Sequence, residues 1–498
     1  MRMKESDLLG GKSALTPALS HGERAGAHKL IRNQFQNPMP TRINTTLTAQ
    51  KLVPKIHRLF ELSAEKILNI ERTWKPEGGT PVFTVKGRYT SRGWTEWTQG
   101  FQYGSALLQF DATGDDRFLK IGRDNTVQKM ATHVSHTGVH DHGFNNVSTY
   151  GNLRRLMLEG RIPADERELQ LYELALKCSG AVQAARWTHV SNGEGFIYSF
   201  NGPHSLFADT IRSLRALALS HQLGHVLMGE KDDQISLLSR LVQHARTTAK
   251  WAVYYGQGRD AFDVRGRVAH ESVFNINDGS YRCPNSQQGW SPFTTWTRGL
   301  AWILCGYTEL LEWIAERPDQ ELERLGGREA IESVMLNAAR ATADFYIEHT
   351  PTDGIPYWDT GAPGLRWMGD YLSCPADPYS HFEPVDSSAA AIAAQGLLRL
   401  GHYLHASAPS PDAGRYWQAG LTICDTLFAE PYLSTDPGHQ GLILHSVYHR
   451  PNGWDHIASG QRVPNGESSM WGDYHARELA LYVQRIIEQK PYLTFFGA

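Results

Sequence analysis

The chain has 498 residues, 20% of them charged, and a net charge of −3 with histidines neutral. That balance argues against a surface built to coat nucleic acid or another polyanion, and no apolar run approaches the roughly 18 residues of a membrane-crossing helix. Five scattered cysteines (Cys178, Cys283, Cys305, Cys374 and Cys424) form no CxxC pair, so they predict reduced thiols in a cytoplasmic protein rather than a disulfide framework.

Residues 1–40 are polar, lack periodicity and carry no continuous apolar core of the secretory kind. They predict a disordered or non-native extension: Met39 offers an alternative start, and LTPALSHGERAG resembles translated intergenic repeat sequence of bacterial genomes. From about Thr46 onward the apolar spacing is helical. Segments recur near 49–71, 97–113, 115–133, 145–159, 164–186, 205–222, 233–255, 295–315, 328–347, 385–405, 411–428 and 470–488, with almost no strand signal among them.

These twelve segments are of two kinds. WTQGFQYGSALLQF, DTIRSLRALALS, WTRGLAWILCGYTELL, DSSAAAIAAQGLLRL and WGDYHARELALYV are rich in small residues and apolar nearly all round, as inner helices are. DERELQLYELALKCSGAVQAA is amphipathic with a charged face, as outer helices are. Alternation of the two kinds predicts an all-α (α/α)6 barrel, six inner and six outer helices, as one domain over residues 41–498. The Trp, Asp, Gly and Arg that open the inner helices then gather at one end around a pocket. The loops GWSPF, TPTDGIPYWDTGAPG and SCPADPYSHFEPVD are expected to wall it.

Two acids stand out. Asp141 lies in VHDHGF and Asp209 in NGPHSLFADTIRSL, each at the opening of an apolar-periodic segment. Helix capping is the bland role of such an Asp, whereas two acids on separate rigid elements suit general acid/base work on a sugar. Apolar Leu206, Phe207 and Ala208 ahead of Asp209 predict partial burial, which raises the pKa of an acid, as a neighbouring carboxylate also does. His133, His136, His140 and His142 crowd around Asp141, but without HExxH spacing or a cysteine they predict a hydrogen-bonded loop, and no metal or other cofactor is expected. Arg298 in TWTRGLAW stands between Trp296 and Trp302; cation–π packing is the bland reading, and with His270 and Gln288 nearby it becomes a candidate anion reader.

Together, WTQGF at Trp97, HDHGF, the Asp209 segment, AHESVF followed by QQG, TWTRGLAW, DSSAAAIAAQGLL and WGDY resemble the unsaturated glucuronyl hydrolases of glycoside hydrolase family 88, and more distantly family 105. The likeness runs from about Trp97 to Val483. It implies a glycosidase that releases an unsaturated (4-deoxy-4,5-ene) uronic acid from the non-reducing end of lyase-generated oligosaccharides. It further implies Asp209 as acid/base, Asp141 as its partner, and Trp97, His140, His270, Gln288, Trp296, Arg298 and Trp302 as substrate-binding residues. The implied chemistry is protonation of the enol ether at C4 and addition of water at C5, after which the hemiketal collapses and the aglycone leaves.

The chain departs from the family pattern at Phe200, where a Trp is usual, at Gln287 in place of a His, and at Ser213 in place of an Asn. It also has long loops at Arg259 to Asn285 and Thr350 to Asp386. Phe200 is kept among the substrate-binding candidates. The expected partner is an unsaturated uronic-acid oligosaccharide, with no nucleic acid and no membrane, for a monomer or small homo-oligomer. Alternative readings are a glucuronidase on saturated uronic acids and a non-catalytic sugar-binding barrel.

Overall fold

The computed structural model describes residues 41–92, 96–407 and 411–497; the expected extension over residues 1–40 lies outside them. Residues 39–498 cluster as one compact unit. All twelve expected segments contain helix. They are α1 (Val53–Thr73), α2 (Gln99–Thr113), α3 (Asp116–Lys129), α4, α5 (Glu166–Ala185), α6, α7 (Leu237–Trp251), α8 (Thr297–Ala315), α9 (Arg328–Glu348), α10 (Ser387–Ser407), α11 (Pro411–Leu427) and α12 (Met470–Ile487). Helix α4 runs through His142–Asn145, a π turn at Val147–Gly151 and Asn152–Leu158, and α6 is divided into Thr210–Ser213 and Arg215–Gln222.

The starts and stops are locally encoded. Asp115, Asp165, Ser236 and Ser469 accept hydrogen bonds from first-turn amides of α3, α5, α7 and α12. Gly114, at φ 72°, takes the left-handed conformation that ends α2.

The even-numbered helices form a closed inner ring: α2 packs on α4, α4 on α6, α6 on α8, α8 on α10, α10 on α12, and α12 back on α2. The odd-numbered helices pack outside them, for example α5 on α6, α9 on α8 and α11 on α10. This is the (α/α)6 barrel. Inner helices approach closely where glycine allows it. A Cβ on Gly143 would lie 2.2 Å from the Ser213 carbonyl oxygen, and one on Gly306 would lie 2.8 Å from the Arg212 nitrogen.

Strands are more numerous than the sequence signal predicted, though all are short. The set that matters for the site is a three-stranded antiparallel sheet of β1 (Ser205–Phe207), β2 (Glu271–Phe274) and β3 (Tyr281–Asn285), with Phe207 opposite Glu271. Residues 205–207, expected as helix, are therefore strand. Segments of three to five residues are too short for alternation to register against helical spacing.

Candidate active site

The N-terminal ends of the inner helices meet at a cavity of about 620 Å³, counting space open to solvent. Trp97 precedes α2, Asp141 opens α4, Asp209 opens α6, and Trp296, Arg298 and Trp302 come from the start of α8; all line this cavity, with His140, Phe200 and Gln288. Thus nine of the ten predicted site residues are brought together.

Neither acid is a helix cap: no side-chain capping bond is made by Asp141 or by Asp209. Asp209 is held by imidazoles instead. Its Oδ2 lies 2.9 Å from His140 Nε2 and its Oδ1 lies 3.7 Å from His270 Nε2. Backbone amides of Gln287 and Gln288 donate to His270 Nδ1 at 3.0 and 3.2 Å, which fixes that ring as the Nε2–H tautomer facing Asp209. Strand pairing sets this proximity, because Phe207 opposite Glu271 carries Ala208 N–H to the His270 carbonyl at 2.9 Å. His270 is thus a positioning residue behind Asp209 and not, as expected, part of the cavity lining.

His140 is fixed from the other side. Its carbonyl accepts from Ser213 Oγ and from Gln183 Nε2, both at 2.7 Å, and Ser213 Oγ also accepts from Gly143 N–H at 2.9 Å. Ser213 therefore ties the opening of α4 to that of α6. Phe200 stacks on the His140 ring at 5.7 Å.

The electrostatics split the two acids. Burial raises Asp209, but the His140 hydrogen bond and the nearby His270 imidazole outweigh it and hold the carboxyl well below the usual carboxylate range. Burial raises Asp141 too; His140 opposes this and the Asp209 charge adds to it, so its pKa ends above the ordinary value. Burial works against charging His140, yet Asp141 and the Asp209 hydrogen bond outweigh it and lift the imidazole above its usual pKa. Of the two acids, Asp141 therefore holds a proton more tightly and Asp209 less tightly, beside a His140 whose own proton affinity is raised. This reverses the order of proton affinities implied by assigning the proton to Asp209.

Arg298 does not sit between Trp296 and Trp302. Its guanidinium lies over Trp296 at 4.6 Å and Trp471 at 4.9 Å, because α12 supplies the second ring from across the barrel. Nor is its fork open to a ligand. Nη1 donates to Asp386 Oδ2 at 2.8 Å and to the Val447 carbonyl, and Nη2 donates to the Tyr448 carbonyl at 2.8 Å and to Gln288 Oε1 at 3.2 Å. Asp386 also accepts from the amide of Ser388, the second residue of α10, at 3.1 Å. Arg298 therefore organises Gln288 and the loop before α12, which corrects the expectation that it reads an anion directly.

The remaining wall comes from a loop that sequence reasoning passed over. Tyr448, His449 and Trp454 line the cavity, as do Val139, Phe144, Phe207 and Gln287. The aromatic and His residues of HSVYHRPNGWDH, just ahead of WGDY, were the available signal. The loops expected as walls pack behind α8 instead: Thr297 N–H donates to the Trp358 carbonyl at 3.1 Å, and Trp290 N–H to Asp359 Oδ2 at 2.8 Å.

Among the described residues, His140, Asp141 and Asp209 bring three potential ligand atoms within 4.8 Å of one another. A cation there would have to displace the proton shared by His140 and Asp209.

No protein-family model matches the chain. Among curated proteins it is 25% identical over 395 residues to an unsaturated glucuronyl hydrolase of Formosa agariphila, covering 79% of this chain and 81% of that protein. It is 24% identical over 409 residues to an unsaturated glucuronyl hydrolase of Bacillus sp. GL1, covering 80% and 89%. Among solved structures, the glycosaminoglycan-degrading unsaturated glucuronyl hydrolase of Bacillus sp. GL1 superposes with a TM-score of 0.65 at 20% identity, over 88% of this chain and 98% of that one. The relatives are named as hydrolases, and the barrel is the fold this chain shares with the solved one. Within these comparisons, the chain is similar to unsaturated glucuronyl hydrolases over about four fifths of its length.

Proposed function

We propose that the chain releases a 4,5-unsaturated uronic acid from the non-reducing end of lyase-generated oligosaccharides, with Asp209 and Asp141 as its catalytic pair. The observation that carries the reading is the hydrogen bond at the mouth of the barrel: Asp209 and His140 joined at 2.9 Å beside Asp141, whose carboxyl burial makes harder to ionise. Protonation of an enol ether needs one transferable proton at C4, and addition at C5 needs one group to take a proton from water. The bound uronate adds negative charge near Asp209, raising its proton affinity so that the proton shared with His140 becomes available to C4. Water, losing its proton to the Asp209 carboxylate and held by Asp141, adds at C5; the hemiketal then opens and the aglycone departs.

The spacing argues against an inverting displacement at the anomeric carbon. Carboxylate oxygens of Asp141 and Asp209 lie within 4.8 Å of each other, tighter than the roughly 6.5–9.5 Å that leaves room for water in an inverting glycosidase. Trp97, Phe144 and Trp302, with Phe144 and Trp302 rings 4.8 Å apart, form an apolar surface for a sugar ring. The N-termini of the inner helices offset part of the negative charge that substrate brings in. The five cysteines are free thiols, in keeping with a reducing, cytoplasmic setting.

The deciding assay pairs an unsaturated uronyl disaccharide with its saturated counterpart. Loss of the conjugated uronate absorbance, with no cleavage of the saturated sugar, is the expected result. Cleavage of the saturated sugar alone would overturn the hydration chemistry.

A further inference from the structure

Among the described residues lining the cavity, three buried polar atoms have no hydrogen-bond partner: His140 Nδ1, Asp209 Oδ1 and His449 Nε2. Asp209 Oδ1 is an acceptor that faces His270. His449 is different, because its Nδ1 accepts the Asn452 N–H at 3.3 Å, which leaves the proton on Nε2. Burial above all, with the Arg298 charge adding to it, holds this imidazole down at about 4, so it is a neutral donor at neutral pH.

The ring is also rigidly presented. His449 N–H donates to Asp455 Oδ2 at 3.1 Å, Tyr448 N–H donates to Asp455 Oδ1 at 2.5 Å, and the Trp454 ring packs on His449 at 4.8 Å. From the other side, Arg298 grips the carbonyls of Val447 and Tyr448.

A uronate entering this cavity needs a donor for its carboxylate, and the cavity already holds two acids. The terminal nitrogens of Arg298 are committed to protein acceptors. Burial is the main reason His449 stays uncharged, and the Arg298 charge that adds to it also makes an anion better tolerated there. From the fixed tautomer, the absent partner and the anchored loop, we infer that His449 Nε2–H binds the substrate's uronate carboxylate and makes the site selective for the free acid over a neutral sugar. Arg298 then serves by building the loop that presents His449. The inference rests on the proposed reaction only for the identity of the sugar.

Binding of free glucuronate, with glucose as the neutral control, tests it by tryptophan fluorescence without any turnover. The wild-type protein is expected to prefer glucuronate. His449→Phe, which keeps the packing on Trp454, should weaken glucuronate binding about tenfold or more, as loss of a charge-assisted hydrogen bond does, with glucose binding unchanged. His449→Gln, which restores an N–H donor, should recover part of the preference. In turnover, His449→Phe should raise KM for the unsaturated disaccharide while leaving its uronate methyl ester nearly unaffected. An unchanged acid-over-neutral preference in folded His449→Phe overturns the assignment, as does an equal loss on acid and ester. A wild type that binds glucuronate but ignores the unsaturated disaccharide would instead sink the proposed reaction.

Discussion

Asp209 and Arg212 are three residues apart on α6, yet they belong to opposite kinds of buried charge. At the mouth, Asp209 faces two imidazoles and Asp141 lies 3.8 Å from one of them. One turn further in, Arg212 donates to Glu309 of α8 at 3.0 Å and to Glu478 of α12 at 2.8 Å. Burial works against both charges of the inner cluster. The carboxylates nonetheless lift Arg212 above its ordinary value, and the arginines hold Glu478 far below its own. Arginine does not release its proton near neutral pH, so the inner network has one protonation state and joins three helices. Histidine titrates close to neutrality, so the mouth can place a proton on more than one atom. The cation chosen as partner decides whether a buried acid holds the barrel together or does chemistry.

Breaking the inner network gives the largest expected effect. Arg212→Leu leaves Glu309 and Glu478 buried with only Arg215, at 3.7 and 3.9 Å, to offset their charge, and should cost about 3 kcal/mol of stability, measured by denaturant unfolding. A midpoint unchanged from wild type would show the cluster to be dispensable.

Asp209→Asn should cut kcat by about 10²-fold or more while shifting the unfolding midpoint far less than Arg212→Leu does. Full activity on the unsaturated disaccharide in this variant would remove Asp209 from the reaction.

The pH profile sharpens the contrast further. Burial opposes charging His140, but Asp141 and the Asp209 hydrogen bond outweigh it and raise its pKa above the ordinary imidazole value, so activity should fall on the alkaline side as that proton is lost. Asp141→Asn, already slower, removes one source of that rise, and its alkaline limb should move to lower pH. A limb that stays in place would assign the titration to another group.

Arg298→Lys keeps the charge but cannot grip Gln288, Val447, Tyr448 and Asp386 at once. It should raise KM or lower kcat/KM about tenfold, with the protein still folded. Wild-type kinetics would reduce Arg298 to a packing residue. The smallest change is expected from deleting residues 1–38, which should alter neither the unfolding midpoint nor turnover; a large loss of either would make that segment structural.

Much of this architecture is legible locally. The twelve helical segments could be read because apolar residues recur at helical spacing over 15 or more positions in most of them, and their starts carry Asp or Ser caps. The two acids were legible as residue types at helix mouths and the other candidates through the resemblance carried by short motifs; nine of the ten line the cavity. Less legible was what each side chain is spent on. His270 reaches Asp209 only through the β1–β2 register, and Arg298 is claimed by Asp386, 88 residues away. His449 lies in a loop whose Gly, Pro and Asn residues carry no periodicity.

By itself the sequence determined the helix count, the alternation of inner and outer faces, and the pair of acids, because each depends on spacing within one segment or on a resemblance carried by short motifs. Tertiary structure decided which acid holds a proton more tightly, which side chains claim Arg298 and which cavity imidazole is left without a hydrogen-bond partner. Those depend on burial and on partners from distant segments, and a pKa or an open hydrogen-bond donor is a property of the surroundings rather than of the residue.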